Sequence, residues 1–214
     1  MFRRILFSLN INRSISPSKW KRTFSQLQKL KLDVICLQET HIKRQHHKLL
    51  ERPNLGKLFI SSTHQKKRGL ALYIKEKLDP KSIFSDEDSG ILLVEVTIKK
   101  KKKVLLVVIC APNDHQEAFY QKLHTLLLQT EYQALCLMGD FYATVDKKID
   151  RKRDINGKKG RRIFPKSFFN ILEEFRLTDV WRYKNTTSAK YTFYSNRHRP
   201  FEKGPQDTDE RSKT

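Results

Sequence analysis

The sequence predicts an α/β fold in which two packed sheets are flanked by helices, and two observations favour this class. Two apolar runs are each reached through an amphipathic segment with helical spacing, which indicates strand–helix–strand crossovers between parallel strands. Other apolar runs are separated by short polar turns, which is typical of hairpins. A chain of 214 residues that mixes crossovers with hairpins is long enough for a core and predicts a layered α/β sandwich.

The first crossover lies at the start of the chain. Residues 5–9 predict a strand that ends at Asn10, and residues 33–38 predict a buried strand that ends at Glu39. A helix between them is expected to begin at residues 16–18. Its apolar side chains recur at helical spacing and are Trp20, Phe24, Leu27 and Leu30. Because the two strands are parallel, Asn10 and Glu39 are expected at the same edge of a sheet.

The middle of the chain predicts a loop or short helix at residues 43–54, followed by strands. Four strands are predicted, at residues 58–60, 70–74, 91–98 and 104–110. The last two form a predicted hairpin, joined by five consecutive lysines at residues 99–103. We interpret this charged turn as a solvated hairpin end.

The second crossover leads to a lone carboxylate. Asn113 and Gln116 match a capping box at the start of a helix. The buried face of that helix is predicted to consist of Phe119, Leu123, Leu126 and Leu127. Residues 134–138 are an unbroken apolar run that ends at Gly139, which predicts a strand buried on both faces. Asp140 follows at the carboxyl end of this strand, where ligands and chemistry collect in open α/β sheets.

The remainder of the chain is predicted to be less regular. The predicted elements are a basic loop at residues 142–162, a helix from about Pro165, and short strands at residues 180–181 and 191–194. The apolar face of the helix is expected to consist of Phe168, Leu172 and Phe175. We expect residues 1–198 to form one domain and the polar residues 199–214 to be a disordered tail.

The charge of the chain indicates a polyanionic partner. Lys and Arg number 44 against 23 acidic residues, which gives a formal net charge of +21. Such an excess is the electrostatic footprint of nucleic-acid binding, with an anionic membrane as the competing interpretation. No apolar run approaches the roughly 20 residues of a membrane-spanning helix, and the start of the chain lacks a signal-peptide pattern.

The cysteines favour a reducing compartment, either the nucleus or the cytoplasm. Cys36, Cys110 and Cys136 all lie within predicted strands, where they are expected to be small buried hydrophobes. The closely spaced Cys and His residues of a zinc site are not found.

Three polar residues follow predicted strands and suggest a metal-dependent site. Asn10, Glu39 and Asp140 each stand at the carboxyl end of a strand. Proteins usually hold Mg²⁺ with one or two carboxylates together with water and substrate phosphate. In a strongly basic chain this arrangement predicts metal-assisted hydrolysis of a phosphodiester.

Five short words occur in the order of a known family. They are Ser-Leu-Asn-Ile-Asn at residues 8–12, Leu-Gln-Glu-Thr-His at 37–41, Ala-Pro-Asn at 111–113, Met-Gly-Asp-Phe at 138–141 and Tyr-Thr-Phe-Tyr-Ser at 191–195. Over roughly residues 3–198 the chain resembles the endonuclease/exonuclease/phosphatase superfamily. The word at residues 37–41 and the pair Asp150 and Arg151 resemble, more narrowly, the apurinic-endonuclease-like domain of LINE-type (non-LTR) retrotransposon polyproteins.

The resemblance implies a four-layered α/β sandwich and a hydrolase that nicks DNA and leaves a 3′-hydroxyl, similar to Mg²⁺-dependent endonucleases and exonucleases of the exonuclease III type. It implies Mg²⁺ as the cofactor, with Mn²⁺ as an alternative. By position, Asp140 matches the catalytic aspartate, Glu39 the metal-binding glutamate, and Asn10 an asparagine beside the metal and phosphate. Thr192 matches a threonine near the DNA-contacting surface.

The basic segment after the Met-Gly-Asp-Phe word is a candidate substrate-binding loop. Residues 151–162 contain seven Lys or Arg residues that could follow a phosphate backbone, and the first of them are Arg151, Lys152 and Arg153. A solvated loop is the alternative interpretation of the same charges.

Several departures from the family pattern lead us to expect a decayed enzyme. Tyr142 stands where the family has an asparagine that contacts the scissile phosphate, and Cys110 stands where it has a tyrosine. The final Ser-Asp-His word of the family is not found, so the catalytic Asp and His that it carries are missing. We therefore expect a C-terminally truncated domain that is weakly active or inactive, because losing one such group commonly lowers the rate by about 10²–10³-fold.

Two alternative functions stay open. One is a non-catalytic, basic nucleic-acid-binding fragment, and the other is a different phosphodiesterase or phosphatase of the same superfamily. For all of these we expect a monomer that binds DNA without sequence preference and in a salt-sensitive way, and that has no membrane partner.

Overall fold

The computed structural model describes residues 6–11, 17–62, 69–86, 90–143 and 163–185. The strands are β1 (Leu6–Asn10), β2 (Val34–Gln38), β3 (Lys57–Ser61), β4 (Leu70–Ile74), β5 (Lys81–Asp86), β6 (Ile91–Ile98), β7 (Lys102–Cys110) and β8 (Leu135–Asp140). The α-helices are α1 (Pro17–Lys29), α2 (Gln116–Leu128), α3 (Lys166–Glu174) and α4 (Val180–Lys184). Short 3₁₀ helices span Arg44–Leu50, Pro53–Leu55, Glu76–Leu78 and Lys99–Lys101.

The chain divides into two compact units, residues 1–142 and residues 143–214, and each is described by itself. All eight described strands belong to the first unit, in two four-stranded sheets. The first sheet has the order β1-β2-β4-β3, and the second has the order β5-β6-β7-β8. This is the predicted α/β class, with two mixed sheets flanked by helices.

Both predicted crossovers are confirmed by strand pairing. β1 pairs with β2 in parallel, and β7 pairs with β8 in parallel, with Cys110 opposite Asp140. The predicted hairpin is also confirmed, because β6 and β7 are antiparallel from Ile91 opposite Ile109 to Ile98 opposite Lys102. Because these pairs are parallel, the carboxyl end of β2 lies beside that of β1, and the carboxyl end of β8 lies beside that of β7.

The main core lies between the two sheets and follows from the alternation of side chains along a strand. In β2 and β4, Cys36 and Leu72 face the second sheet, where they pack with residues such as Val94 and Val108. The intervening residues Ile35 and Tyr73 face the opposite way. Strands that are buried on both faces explain the unbroken apolar runs in the sequence.

Helix α1 covers the outer face of the first sheet. Phe24 and Leu27 are buried there, and each contributes about 1.5–3 kcal/mol through the area removed from water. Trp20 stacks on Phe24 with ring centroids 5.1 Å apart. Leu30 was predicted to share this face, but the helix ends at Lys29, and Leu30 is half exposed.

The start of α2 differs from the predicted capping box. The residue before the helix is His115, with a left-handed backbone (φ 57°) and no side-chain cap. Gln116 is instead buried, and its side-chain amide nitrogen Nε2 donates to the carbonyl oxygen of Pro112 at 3.0 Å. Of the predicted buried face, Phe119, Leu123 and Leu127 are buried, with Tyr120 added to them, whereas Leu126 is partly exposed.

Strand β5 was not predicted. Its sequence, Lys-Ser-Ile-Phe-Ser-Asp, is mostly polar, and the strand pairs only through β6 in the described sheet order. An edge strand with most of its side chains exposed lacks the apolar run on which the other strand predictions depended.

The described part of the second unit consists of α3 and α4. The helix predicted from about Pro165 is present, and Phe168 in it stacks on Phe164 with centroids 3.8 Å apart. Ile171 is fully buried, whereas Leu172 and Phe175, which were predicted to be buried, are only partly so.

The prediction of a strand at residues 180–181 was wrong, since Val180–Lys184 is a helix. The physical reason is the acceptor just before it. Asp179 accepts from the backbone N–H of Arg182 at 3.1 Å and from its Nε at 3.0 Å, which stabilises a helical start against the strand preference of Val and Trp. The strand predicted at residues 191–194 and the tail at 199–214 lie outside the described residues. No helix in the described ranges has the length and apolar character needed to cross a membrane.

Candidate active site

The candidate site lies where an end strand of one sheet meets an end strand of the other. β1 and β8 each stand at the end of their described sheet order, and they contact each other. At their carboxyl ends the side-chain amide Nδ2 of Asn10 donates a hydrogen bond to Oδ2 of Asp140 at 2.5 Å. The structure therefore brings together two of the three residues that were predicted from separate strands, 130 positions apart in the chain.

The Asp140 carboxylate is held by donors on both of its oxygens. Oδ2 accepts from Asn10, and Oδ1 accepts from the backbone N–H of Tyr142 at 3.0 Å. This geometry fixes the orientation of the carboxylate while leaving further lone-pair positions for a water molecule.

The backbone that carries Asp140 is pressed closely against β7. Gly139 has a φ of +133°, and a Cβ atom there would lie 2.0 Å from the backbone oxygen of Ile109. The next carbonyl, that of Asp140, accepts from the N–H of Ala111 at 2.8 Å. Only glycine fits at position 139, and its close contact with β7 fixes the backbone position of the next residue, Asp140.

Helix α2 holds the loop that follows Asp140. The hydroxyl of Tyr120 donates to the carbonyl oxygen of Phe141 at 3.1 Å, and Nε2 of Gln116 donates to that of Tyr142 at 3.2 Å. Gln116 also bonds Pro112, so one buried amide links the loop before α2 to the loop after β8. Sequence reasoning placed neither Gln116 nor Tyr120 at the site. The available signal was that Gln116 and Tyr120 lie one helical turn apart in the helix that follows the Ala-Pro-Asn word.

Tyr120 acts here as a neutral donor. Burial, and to a smaller extent the nearby negative charge of Asp140, raise the pKa of Tyr120 well above its ordinary value. The phenol therefore keeps its proton across the physiological range and continues to support the loop.

Glu39 leaves the end of β2 in an unusual backbone conformation. Its φ is 52°, and that of His41 is 49°, both in the left-handed region. The flanking residues Gln38 and Thr40 are buried, whereas the Glu39 side chain retains a quarter of its exposure. Nε2 of His41 lies 3.8 Å from Oε2 of Glu39, so an imidazole adjoins this carboxylate.

Buried polar contacts link β1 and β2 beneath these residues. Nε2 of Gln38 donates to Oγ of Ser8 at 2.8 Å and lies 2.7 Å from Sγ of Cys36. Burial raises the pKa of the Cys36 thiol to about 12, so the thiol stays neutral and unreactive. These contacts fix the register of the two strands that carry Asn10 and Glu39.

The two positions that depart from the family pattern are both within the described chain. Cys110 is buried at the end of β7, and its backbone N–H donates to Gly90 at 2.9 Å. Its short, buried side chain gives it no route to a phosphate in solvent. Tyr142 has a φ of 48°, a conformation that asparagine adopts more readily than an aromatic residue.

The donor set can be tested against the Mg²⁺ expected from the sequence. Among the residues that the structure describes, no group of three or more His, Cys, Asp or Glu side chains could hold a metal ion. Glu39 offers a partly exposed carboxylate, and the side-chain amide of Asn10 carries an oxygen, Oδ1, beside the Nδ2 that donates to Asp140. Hard oxygen donors in small number fit a Mg²⁺ ion that keeps most of its water.

The remaining predicted site residues lie outside the described residues. These are Thr192, Arg151, Lys152 and Arg153. Their proposed contacts with DNA stay predictions.

Comparison with known proteins places the fold. A model of the Endonuclease/Exonuclease/phosphatase family matches residues 7–205. The AP endonuclease LMAP from Leishmania major is 16% identical with a TM-score of 0.66, covering 90% of this chain and 72% of that one. The 3′ phosphatase NExo from Neisseria, bound to a product DNA hairpin, is 15% identical with a TM-score of 0.64, covering 91% and 79%. An AP endonuclease from Archaeoglobus fulgidus is 19% identical with a TM-score of 0.61, covering 90% and 77%.

Proposed function

Since the chain belongs to the Endonuclease/Exonuclease/phosphatase family, we propose that it is a DNA endonuclease of retrotransposon origin with slow turnover. The reaction would be hydrolysis of a phosphodiester with a divalent metal, Mg²⁺ or Mn²⁺. The observation that supports this best is the Asn10–Asp140 hydrogen bond, which joins two family positions across the edges of two sheets.

In the proposed reaction, a water oxygen forms a bond to phosphorus while the bond from phosphorus to O3′ breaks. Asp140 orients the water and accepts its proton, and the O3′ oxygen takes up a proton and leaves as a hydroxyl. Asn10 keeps the Asp140 carboxylate in position through its amide N–H. Glu39 and the amide oxygen of Asn10 would hold the metal, which would supply charge neutralisation at the phosphate.

DNA is the proposed substrate because of charge and similarity. The net charge of +21 favours a polyanion, and one similar structure is that of an enzyme bound to a product DNA hairpin. The retrotransposon origin is supported by the Gln-Glu-Thr-His word at residues 38–41 and by the pair Asp150 and Arg151.

Slow turnover is proposed from the two departures beside Asp140. Tyr142 replaces the family's asparagine, which would donate to the scissile phosphate. Cys110, a buried thiol, replaces the family's tyrosine, whose phenol would reach the same phosphate. Each lost donor is expected to lower the rate by about 10²–10³-fold, with combined effects that are not additive.

The test is nicking of supercoiled plasmid with Mg²⁺, with Mn²⁺ and with EDTA. We expect slow nicking with either metal, none with EDTA, and loss of nicking in Asp140→Asn and in Glu39→Gln. Glu76→Gln, in the 3₁₀ helix after β4, and Asp79→Asn, at the residue that caps this helix, are matched controls and should nick as the parent chain does. Metal-dependent nicking that survives Asp140→Asn would show that the assigned site is wrong.

A non-catalytic nucleic-acid-binding protein is the second candidate, favoured by the +21 charge together with Tyr142 at the phosphate-contacting position. The same assay separates the two functions. A folded chain that binds the plasmid and nicks nothing with either metal would support binding alone.

A further inference from the structure

The turn between β6 and β7 is a dense cluster of positive charge. We define the lysine tip as residues 99–103, five consecutive lysines. Lys99–Lys101 form one turn of 3₁₀ helix, and the backbone N–H of Lys102 closes it on the carbonyl of Lys99. The side chains of Lys101 and Lys102 are exposed.

The sequence around the lysine tip is poor in acidic residues. The chain contains no Asp or Glu from residue 96 to residue 113. Lys103 pairs with Glu95 across the hairpin at 3.2 Å. At the start of β5, by comparison, Lys81 has its own acid, Asp79, at 3.7 Å. Adjacent like charges repel one another, so a bound polyanion would stabilise the lysine tip.

The lysine tip is held rigidly by the sheet. Strands β6 and β7 pair without a break up to Ile98 opposite Lys102. The backbone N–H of Lys103 donates to Oε1 of Gln133 at 2.9 Å, which links the tip to the segment before β8. Lys101 adopts a left-handed backbone (φ 58°), which a lysine accepts only where its surroundings impose it. The sheet therefore defines the backbone conformation of the lysine tip.

The lysine tip and the candidate site stand at opposite ends of β7. Cys110, at the far end of this nine-residue strand, is opposite Asp140. Eight residue steps at about 3.3 Å give a separation of about 26 Å. The Debye length at physiological salt is about 8 Å, so the two surfaces are electrostatically independent.

We propose that the lysine tip is a second nucleic-acid-binding surface, which holds the phosphate backbone of a different duplex segment from the one at the candidate site. A single molecule would then join two duplexes. The choice of nucleic acid over membrane rests on the absence of an apolar anchor at the tip. The apolar residue that precedes it, Ile98, packs against the core between the sheets, whereas a membrane-binding surface combines basic residues with inserted apolar side chains. Binding at the tip does not depend on hydrolysis at the candidate site.

The experiment is capture of a fluorescent duplex on beads that carry a second, unlabelled duplex, with EDTA present and full-length protein as the bridge. The tip variant is Lys101→Glu with Lys102→Glu. The matched control is Lys21→Glu with Arg22→Glu, the same change of charge on exposed positions of α1. A second control, Lys101→Arg with Lys102→Arg, keeps the charge.

We expect the tip variant to lose at least about tenfold in capture of the second duplex while it still binds the first, because two phosphate contacts are replaced by repulsion. Both controls should bridge as the parent chain does. Equal bridging by the tip variant and the parent would overturn the proposal, and so would a bridged complex whose mass contains two copies of the chain. If the tip variant lost binding to phosphatidylserine vesicles but still bridged duplexes as the parent chain does, the lysine tip would be assigned to membrane binding instead.

Discussion

Three residues around the candidate site have a strained, left-handed backbone. Glu39, His41 and Tyr142 all have φ values near +50°. The left-handed region costs a residue with a Cβ atom about 1–2 kcal/mol, and such residues persist where the surroundings impose them. At Tyr142 the surroundings are known, since Asp140 accepts from its N–H and Gln116 donates to its carbonyl.

Replacing Tyr142 should separate backbone strain from the effect of the ring. We expect Tyr142→Asn to raise the free energy of unfolding by about 0.5–1 kcal/mol, because asparagine tolerates the left-handed region. Tyr142→Ala also removes the ring, but alanine does not tolerate the left-handed region as asparagine does, so this variant should not be more stable than the parent chain. Urea denaturation of both variants is the measurement, and equal stabilisation by the two substitutions would contradict the backbone explanation.

Gly139 should tolerate substitution least among the glycines near the site. Gly139→Ala places a Cβ atom 2.0 Å from a backbone oxygen, which can only be relieved by moving β8 away from β7. We expect a loss of about 3 kcal/mol or more in urea denaturation. Gly69→Ala is the comparison, because its Cβ atom meets the Thr40 side-chain oxygen at 2.6 Å rather than backbone. A loss at position 69 as large as that at 139 would contradict the assigned contact.

At the scale of elements, α2 does more than connect β7 to β8. Its first residue bonds the carbonyls of Pro112 and Tyr142, and Tyr120, one turn later, bonds that of Phe141. The helix thereby supports the loop that follows Asp140 and links it to the loop between β7 and α2. The crossover that makes β7 and β8 parallel is also what brings this helix beside the candidate site.

The buried phenol of Tyr120 should give the fold a marked alkaline limit. Its pKa is raised in the folded state, whereas in the unfolded chain a tyrosine loses its proton near pH 10. Above that pH the unfolded state holds fewer protons, so stability that is fully present below about pH 10 falls as pH rises.

Tyr120→Phe should lower stability by about 1 kcal/mol at pH 7, through the lost hydrogen bond, and should make the decline above pH 10 less steep. Urea denaturation at pH 7 and at several alkaline pH values measures both effects. Tyr183→Phe is the matched control, since Tyr183 is 76% exposed and should change neither quantity. An unchanged alkaline slope in Tyr120→Phe would mean that this phenol does not stay protonated in the folded chain.

At the scale of the whole molecule, the excess of positive charge governs association more than folding. The net charge of +21 is carried by lysines and arginines along the whole chain, with one dense cluster at the lysine tip. Charges of this kind attract any phosphate backbone and carry no sequence information.

Binding to duplex DNA should therefore weaken steeply with salt and depend little on sequence. With six or more phosphate contacts, affinity is expected to fall by about 10³-fold between 50 and 200 mM salt, because binding releases condensed counterions. Fluorescence anisotropy with two unrelated duplexes over this range is the measurement. An affinity that ignores salt, or that differs by orders of magnitude between the duplexes, would contradict nonspecific binding.

Much of the fold could be predicted from the sequence because it depends on local pattern. The strand at residues 34–38 is buried along its whole length, as its apolar run predicts. The strand at residues 135–140 is present, but the prediction that it is buried on both faces was wrong: it stands at the end of the described sheet order and is only partly buried. The helix before each strand has a readable apolar stripe. Strand β5 and helix α4 could not be predicted in this way. The first is an exposed edge whose pairing with β6 decides its conformation, and the second depends on Asp179 as a cap.

By itself the sequence determined the class of fold, the basic character of the chain and three polar residues at strand ends, since these follow from composition and from the period of apolar residues. Only the tertiary structure decided which residues meet. The contact between Asn10 and Asp140 requires the end strands of two sheets to approach, and the support from Gln116 and Tyr120 requires α2 to lie beside β8. Contacts between residues far apart in sequence depend on how the sheets pack, and no local pattern in the chain encodes that packing.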